Sequence, residues 1–318
     1  MKTLSDSVHV VTGGAGFIGS HIVRALVERG ETVRIVDDFS SGKRENLAGI
    51  APEGFDLVEA DIRNIEDLSL PFRGADYVYH QAAVPSVQQS IQDPVSTVAT
   101  NVNGSLNVLL AAREAGVKKV VCASSSAVYG DGPELPKHEG LLPSPLSPYA
   151  MSKASGEMLT SIFAPLYGVE AIGLRYFNVF GPRQDPNSEY AAVIPKFITR
   201  MIAGSPPIIY GDGEQTRDFI YIDNIVNANL EAARSDARGI NVNAACGQHA
   251  SLNQLVELLN EILGTEFEPE YAEVRPGDIR DSQADISRAR AAFGFDPKID
   301  FEEGLRRTVQ WHRDQQVG

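Results

Sequence analysis

Apolar residues in the first half of the chain form short continuous runs instead of alternating strictly with polar residues. Apolar residues at helical spacing separate these runs and predict helices that include His21–Arg29, Pro94–Ala115 and Tyr149–Tyr167. The runs themselves predict six strands: Val8–Thr12, Thr32–Asp37, Phe55–Glu59, Tyr77–His80, Val120–Ser124 and Ala171–Arg175. Such strands, alternating with amphipathic helices, are typical of a parallel sheet covered on both faces. The pattern therefore predicts an α/β fold with a doubly wound parallel sheet.

This alternation ends near residue 178. Prolines and glycines cluster at 181–182, 206–207 and 211–213, and helices are predicted at Ala191–Ala203 and Ser251–Leu263. We interpret residues 178–216 and 247–318 as a second, smaller α/β region that binds a substrate. The run Gly239–Ala244 is expected to rejoin the main sheet. The larger domain would then comprise residues 1–177 and about 217–246, so the two domains interleave.

The composition excludes several classes of protein. No apolar run in the 318 residues approaches the roughly 18–20 that a membrane helix needs, and the short polar start is unlike a signal peptide. The net charge of −14 would repel nucleic acid, so an anionic substrate would need arginine concentrated at its site. The two cysteines, Cys122 and Cys246, lie in apolar surroundings and are expected to be free thiols of a cytoplasmic protein. No metal site is predicted.

The first strand leads into a glycine-rich turn and a helix start, Thr12-Gly13-Gly14-Ala15-Gly16-Phe17-Ile18-Gly19. Glycines allow a tight turn and a close approach to a pyrophosphate, and the helix N-terminus offers free N–H groups. Asp37 ends the next strand, 21 residues after Gly16, where a carboxylate accepts from ribose hydroxyls and disfavours a 2′-phosphate. This Rossmann-type pattern predicts NAD as the cofactor. The alternative is a tight turn followed by a surface aspartate.

Residues at the ends of later strands extend the predicted cofactor site. Asp61 follows the third strand and would face the adenine, unless it caps a helix. Small residues after the fourth strand would let the backbone approach the cofactor. The predicted cofactor contacts are Gly13, Gly16, Phe17, Ile18, Gly19, Asp37, Asp38, Ser40, Ser41, Gly42, Asp61, Ile62, Gln81, Ala82, Ala83, Tyr149, Lys153 and Tyr176.

Tyr149 and Lys153 lie four residues apart in a predicted helix, so both belong to one face. An ammonium beside a phenol favours the phenolate, which a tyrosine base with an ordinary pKa of about 10 needs near neutral pH. A pair at this spacing is often only a surface pair. Here it follows the glycine-rich turn and the run Ser124-Ser125-Ser126 at a strand end, where ligands bind in this architecture.

As a set, these motifs resemble those of the extended short-chain dehydrogenases/reductases, and among them the UDP-sugar 4-epimerases. The resemblance runs from about Val8 to Trp311 and includes the segments Arg175-Tyr176-Phe177-Asn178, Arg217-Asp218-Phe219 and Arg275-Pro276-Gly277-Asp278. It implies that Tyr149 is the general base, that Lys153 holds the nicotinamide ribose and that Ser125 is the third catalytic residue. It also implies a redox-neutral reaction that passes through a 4-keto sugar.

The same resemblance implies a UDP-sugar site. Asn178 would contact the UDP phosphates, Arg217 and Arg275 would hold the diphosphate, and Asp278 would contact the uridine ribose. Two further residues would border the uracil, namely Val193 and Tyr210. The candidate substrate contacts are Ser86, Ser124, Ser125, Ser126, Tyr149, Asn178, Ala192, Val193, Tyr210, Arg217, Arg275, Asp278 and Ser282.

Four other functions compete with epimerisation of a neutral UDP-sugar. Sugar-nucleotide dehydratases resemble the epimerases but carry an Asp-Glu pair where this chain has Ser126-Ala127. A decarboxylase or a uronate 4-epimerase needs a pocket for a carboxylate, and no such pocket is identified. A dinucleotide sensor on the same fold typically lacks the Tyr/Lys pair. The epimerase is therefore the favoured interpretation.

Ser282 bears on the choice of sugar. In the family, the residue four after the Asp of the Arg-x-Gly-Asp-like motif borders the sugar, and a tyrosine there resembles enzymes confined to glucose and galactose. Ser282 occupies this place and would leave space beside C2. We therefore expect interconversion of UDP-GlcNAc and UDP-GalNAc, with UDP-Glc and UDP-Gal as a second pair. The alternatives are a promiscuous pocket in which Ser282 only caps a turn, and a strict UDP-glucose 4-epimerase.

A homodimer is also expected. The helices Pro94–Ala115 and Tyr149–Tyr167 carry apolar residues beyond the face needed to cover the sheet: Val98, Val102, Leu106, Leu109, Met158 and Leu159. The resemblance implies that these helices pair with their symmetry mates in a four-helix bundle. The alternative is that all of these residues pack inward.

Overall fold

The computed structural model describes residues 7–186, 192–274 and 279–317. Seven strands form the main sheet: β1 Val8–Thr12, β2 Thr32–Asp37, β3 Phe55–Glu59, β4 Tyr77–His80, β5 Lys119–Ser125, β6 Ala171–Tyr176 and β11 Ile240–Ala244. They are parallel and lie in the order β11-β6-β5-β4-β1-β2-β3. The predicted doubly wound α/β sheet is confirmed, and so is the return of the segment near residue 240 to it.

Both faces of this sheet are covered by helices. The helices of this part are α1 Phe17–Val27, α2 Ile65–Phe72, α3 Val87–Gln92, α4 Pro94–Val98, α5 Ser105–Ala115, α6 Pro148–Tyr167 and α8 Ile222–Arg234. Successive residues of β1 belong to different apolar clusters, Val10 with α2 and α5 and Val11 with α1 and α8. Because neither face meets water, the strands need no polar alternation.

One predicted helix is interrupted. The expected helix Pro94–Ala115 is α4, a π-helical turn at Ala99–Gly104, and α5. The turn places Asn101 so that its side-chain amide exchanges hydrogen bonds with the backbone of Val84 and donates to Ser152 of α6. These contacts involve segments distant in sequence, so apolar periodicity could not have indicated the interruption.

The remaining elements form the smaller region. They are β7 Asn178–Phe180, α7 Val193–Ile202, β8 Ile208–Tyr210, β9 Thr216–Arg217, β10 Phe219–Tyr221, β12 Ala250–Ser251, α9 Leu252–Leu263, β13 Glu270–Ala272, α10 Ser287–Phe293 and α11 Phe301–Val317. The strands make three small pairs, β7 with β10, β8 with β13 and β9 with β12. Apolar residues of both regions join in one cluster, and the division into two domains stays a prediction.

The expected extra apolar face on the helices is present only in part. Leu109 is 1% exposed and packs in the core, so its assignment to an outward face was wrong. Val98, Val102, Leu106 and Leu159 are half-buried, whereas Met158 is 64% exposed. Within the described ranges, no helix is both long and apolar enough to cross a bilayer.

Candidate functional site

The sheet has a topological switch point between β1 and β4. Strands β2 and β3 follow β1 on one side, and β5 and β6 follow β4 on the other. In open α/β sheets, ligands bind in the crevice at the carboxyl ends of such strands. The glycine-rich turn follows β1 and Gln81 follows β4, so both lie at this crevice.

The glycine-rich turn has no room for a side chain at Gly13 or Gly19. Gly13 has φ +67°, and a Cβ there would lie 2.6 Å from the backbone nitrogen of Ala82. A Cβ on Gly19 would lie 2.0 Å from the carbonyl oxygen of Gly13. Gly16 is the N-cap of α1 and offers no side-chain cap, so the first N–H groups of α1 are left for a ligand. This cradle fits the diphosphate of a dinucleotide.

Asp37 fastens the end of β2 to this turn. One carboxylate oxygen accepts the N–H of Ala15 at 2.8 Å and the other accepts the N–H of Phe39 at 2.9 Å. The side chain is buried, and burial raises the pKa of the carboxyl group despite these two hydrogen bonds. A Cβ on Gly42 would lie 2.7 Å from the carboxylate, so the 40–42 loop packs directly on it.

A cleft of about 1460 Å³ opens beside these residues. A pocket for one small ligand is usually about 300–1,000 Å³, so the cleft has room for a dinucleotide and a second ligand. Predicted cofactor residues that line it are Gly13, Gly16, Phe17, Ile18, Gly19, Asp37, Asp38, Ser40, Ser41, Gly42, Ile62, Gln81, Ala82, Ala83, Tyr149, Lys153 and Tyr176.

Asp61 is the predicted cofactor residue that is not part of the cleft wall. Its carboxylate accepts hydrogen bonds from the backbone N–H and the guanidinium of Arg63. The N-cap of the following helix α2 is Asn64, so the alternative role of Asp61 as a helix cap was wrong. Its contact with the adenine stays a prediction.

Helix α6 brings the three predicted catalytic residues together. Ser147 caps the helix by accepting the N–H of Ala150, which places Tyr149 in the first turn. The Tyr149 side chain lies beside Ser125, the last residue of β5, whose hydroxyl acts to lower the pKa of the phenol. The Lys153 ammonium lies 5.8 Å from the centre of the Tyr149 ring and donates to the carbonyl of Ala123 at 3.0 Å.

The protonation behaviour of this group differs from the expectation. Burial raises the pKa of Tyr149, and the hydrogen bond from Ser125 opposes this only in part. Burial lowers the pKa of Lys153 to about 8. The expectation that Lys153 sets a lowered Tyr149 pKa was therefore wrong for the protein alone, because its ammonium is turned toward Ala123 and desolvation of the phenol dominates.

Some predicted substrate residues line the cleft, whereas Ser126 and Asn178 are not part of its wall. Ser86 and Ala192 line its wall, and Ser86 also caps α3. Ser124 lines it too, but its hydroxyl donates to Glu157 at 2.5 Å. Ser126 opens a short 3₁₀ turn, and Asn178 opens β7 with its N–H donated to the carbonyl of Asp218.

A second group of predicted substrate residues lies in the smaller region, outside the cleft wall. The Arg217 guanidinium donates to the carbonyl of Arg280, and the Ser282 N–H donates to the carbonyl of Thr216. Tyr210 ends β8, and Val193 begins α7. Two further predicted residues, Arg275 and Asp278, lie outside the described part of the chain.

A buried ion pair next to β5 was not predicted from the sequence. Glu157 accepts two hydrogen bonds from the Arg175 guanidinium, at 2.8 and 2.7 Å, as well as the one from Ser124. Its position four residues after Lys153, on the same helical face, was the available signal. The cleft residues Arg183 and Trp311 were also missed, and no local motif marks them.

A model of the NAD-dependent epimerase/dehydratase family matches residues 9–245, which is most of the chain. The chain belongs to this family. NAD is accordingly its cofactor, and the tight glycine cradle together with the uncapped start of α1 fits that group. Within residues 7–186, 192–274 and 279–317, no cluster of three or more His, Cys, Asp or Glu side chains could hold a metal ion.

Relatives within the family differ in the sugars they act on. UDP-N-acetylglucosamine 4-epimerase from Methanobrevibacter ruminantium M1, solved in complex with UDP-N-acetylmuramic acid, is 46% identical with a TM-score of 0.94, covering 98% of this chain and 99% of that one. UDP-glucose 4-epimerase from Thermotoga maritima, solved with UDP-glucose, is 40% identical with a TM-score of 0.92, covering 97% and 99%. UDP-glucuronate 4-epimerase from Thermodesulfobacterium geofontis is 35% identical over 96% of both chains.

Proposed function

We propose that this chain is a UDP-sugar 4-epimerase that interconverts UDP-GlcNAc and UDP-GalNAc, with UDP-Glc and UDP-Gal as a weaker or comparable second pair. The observation that carries the proposal is that Tyr149 and Lys153 line the wall of the NAD cleft, with Ser125 beside the phenol. The likeness to a UDP-N-acetylglucosamine 4-epimerase supports the choice of an N-acetylated sugar.

In the proposed reaction, Tyr149 accepts the proton of the sugar 4-hydroxyl. Ser125 holds the phenol and the reacting oxygen in place through its hydroxyl. Bound NAD supplies the acceptor, and then the donor, of the hydride at C4. The 4-keto sugar turns before the hydride returns to its opposite face, and Tyr149 gives the proton back. Sugar and cofactor therefore end in their original oxidation states.

Turning of the sugar requires the UDP moiety to stay fixed. We assign this anchoring to Asn178, Arg217, Arg275 and Asp278, with the uracil between Val193 and Tyr210. Guanidinium groups bind a diphosphate through two parallel hydrogen bonds, which holds position as well as charge. The Ser282 N–H donates a hydrogen bond to the Thr216 carbonyl, next in sequence to Arg217. This proximity supports the proposal that the sugar gate and the diphosphate anchor belong to one site.

The same proposal includes a homodimer. Exposed apolar side chains lie on α3, α4 and α6: Val87, Ile91, Val95, Met151, Met158, Ile162 and Leu166. Apolar side chains on three adjacent helices form a surface that a second copy would cover. Of this group, Met158 was predicted from the sequence to lie on the dimer face.

The sugar preference is tested by measuring kcat/KM for the two acetylated and two non-acetylated UDP-sugars on the wild type and on Ser282→Tyr. We expect the acetylated pair to be favoured, and Ser282→Tyr to lower kcat/KM for that pair selectively. Turnover of only the non-acetylated pair by the wild type would show that the pocket is assigned wrongly. If Ser282→Tyr leaves acetylated activity unchanged, this residue is not the gate.

UDP-glucuronic acid serves as a fifth substrate in the same assay. A uronate 4-epimerase would turn it over better than any of the four neutral sugars, and that result would replace the proposed substrate while leaving the chemistry of Tyr149 in place. Release of a 4-keto-6-deoxy sugar, in which the 6-hydroxyl has left as water and the 4-hydroxyl has become a ketone, would identify a 4,6-dehydratase instead.

A further inference from the structure

Among the residues that the structure describes, four cationic side chains line the NAD cleft, and three of them already have a partner. The Lys43 ammonium pairs with the Asp185 carboxylate at 2.6 Å. Arg63 pairs with Asp61, and Lys153 donates to a backbone carbonyl. The fourth cation is Arg183. Aspartate and glutamate residues line the same walls, namely Asp37, Asp38, Glu45, Asp93 and Asp185.

Arg183 is half-buried, and no carboxylate among the described residues pairs with it. Among the described residues, its guanidinium makes no hydrogen bond and faces no carboxylate. Burial and the neighbouring cation of Arg24 both lower the pKa of Arg183. Both effects are expected for a positive charge that has lost water and gained no negative partner. A half-buried cation with only a like charge nearby is unfavourable unless an anion binds beside it.

The backbone of Arg183 is also strained. Its φ is +67°, in the left-handed region that favours glycine. Glycines stand at many positive-φ positions of this chain, so an arginine here is unusual. Backbone strain at a non-glycine residue persists where the surrounding structure holds it, and it is commonly found at ligand sites.

The loop that carries Arg183 is fixed onto the cofactor half of the cleft. The His21 ring donates to the carbonyl of Pro182 at 2.9 Å, one helical turn beyond Phe17 at the start of α1. The Lys43–Asp185 ion pair attaches the other end of this loop, and the Lys43 N–H donates to the carbonyl of Ala15. Arg183 is therefore held next to the glycine-rich turn, whereas the proposed UDP anchor Arg217 lies outside the cleft wall.

We propose that Arg183 binds the diphosphate of NAD and retains the dinucleotide in the protein during turnover. The guanidinium would supply paired hydrogen bonds to the phosphate oxygens, complementing the N–H groups of α1. The two negative charges of the diphosphate would provide the counter-charge that Arg183 lacks. This role depends on the cofactor and not on which sugar is epimerised.

The test measures the release of NAD from the purified holoenzyme by exchange with isotope-labelled NAD. We expect about 10- to 100-fold faster release from Arg183→Gln, the effect of losing a charge-assisted hydrogen bond. Arg183→Lys keeps the charge, and its rate of NAD release should lie between those of the wild type and Arg183→Gln. Arg290→Gln is the matched control, because Arg290 is an exposed arginine of α10 away from the cleft; its release rate should equal that of the wild type.

A second readout uses Trp311, the single tryptophan of the chain, which lines the same cleft. Energy transfer from Trp311 to NADH reports the affinity for the dinucleotide without any turnover. UDP binding, measured by calorimetry on the same variants, separates the two diphosphates that could meet Arg183. Weakened NADH binding with unchanged UDP binding supports the proposal. This measurement also works if Arg183→Gln loses its NAD during purification.

Three results would overturn it. The first is a release rate of Arg183→Gln within about twofold of the wild type. The second is weakened UDP binding with NAD release unchanged, which would assign Arg183 to the substrate. The third is retention of NAD at the wild-type level by Arg183→Gly. This substitution relieves the backbone strain and removes the cation, so normal retention would show that the guanidinium is not needed. All three differ from a failure of the epimerase assay.

Discussion

Burial acts in opposite directions on the two ionisable catalytic side chains. It raises the pKa of Tyr149 and lowers the pKa of Lys153 to about 8, so both groups are pushed toward their neutral forms. The hydrogen bond from Ser125 is the contact of Tyr149 that favours the phenolate. A positively charged nicotinamide ring beside the phenol would favour it further. The tyrosine is thus expected to act as a base mainly when oxidised NAD is bound.

Replacing Tyr149 by Phe removes the base and keeps the aromatic ring. We expect kcat to fall by at least about 10²-fold, the usual contribution of a positioned acid–base group. The measurement is steady-state epimerisation of the preferred UDP-sugar, with NAD content checked in the same preparation. Wild-type turnover by a fully NAD-loaded Tyr149→Phe protein would refute the assignment.

Replacing Ser125 by Ala removes the hydrogen bond that lowers the pKa of Tyr149. The pKa of the phenol then rises, and because the base acts when deprotonated, the acidic limb of the kcat–pH profile should move to higher pH. Profiles from about pH 5 to 9 measure this shift. Ser155→Ala is the control. Ser155 lies on α6, the helix of Tyr149, but its hydroxyl donates to the Met151 carbonyl and not to the phenol. A profile shifted to lower pH, or not at all, would contradict the role of Ser125.

Helix α6 organises the site because one of its faces carries three polar residues in succession. Tyr149, Lys153 and Glu157 follow at intervals of four, and Glu157 connects the helix to Arg175 of β6 and Ser124 of β5. The glutamate and arginine side chains are each 6% exposed. A buried pair of this kind holds its partners in one arrangement, since either charge alone would be strongly disfavoured there.

Glu157→Gln leaves the Arg175 charge buried without a carboxylate. We expect the free energy of unfolding to fall by about 3–5 kcal/mol, as when one partner of a buried ion pair is removed. Urea unfolding of the purified proteins measures it. Glu231→Gln is the matched control, because Glu231 and Arg234 form an exposed pair, and it should cost at most about 1 kcal/mol. An equal fall in the free energy of unfolding of the two variants would mean that the buried pair stabilises the protein no more than the exposed pair does.

The whole molecule leaves an apolar surface uncovered on α3, α4 and α6. Most helical apolar residues of the chain face the sheet, yet Ile162 is 44% exposed and Leu166 and Val95 are more exposed still. Clustered apolar side chains on a folded protein mark an interaction surface, whereas single ones are ordinary. We therefore expect a second copy of the chain to cover this surface in the proposed homodimer.

Ile162→Lys places a charge in the proposed dimer surface. We expect the wild type to sediment as a dimer at micromolar concentration and Ile162→Lys to sediment as a monomer, because the lysine would have to be desolvated between the two copies. Leu70→Lys is the control, since Leu70 is 68% exposed on α2, away from this surface. A wild-type monomer, or an unchanged dimer for Ile162→Lys, would count against this interface.

The sequence by itself determined the parallel sheet, the glycine-rich turn and the Tyr149/Lys153 pair. These features are local: strand and helix periods, and the space that only glycine leaves at Gly13 and Gly19, can be read from neighbouring residues. The family of the chain followed from the same motifs.

Only the tertiary structure decided which distant residues meet at the site. Glu157 and Arg175, His21 and Pro182, and Lys43 and Asp185 come from separate segments, and no local period encodes their contacts. The burial of individual side chains likewise depends on tertiary packing and not on the local sequence. Packing put Leu109 in the core and reversed the expected pKa direction of Tyr149, because desolvation depends on everything that surrounds a side chain.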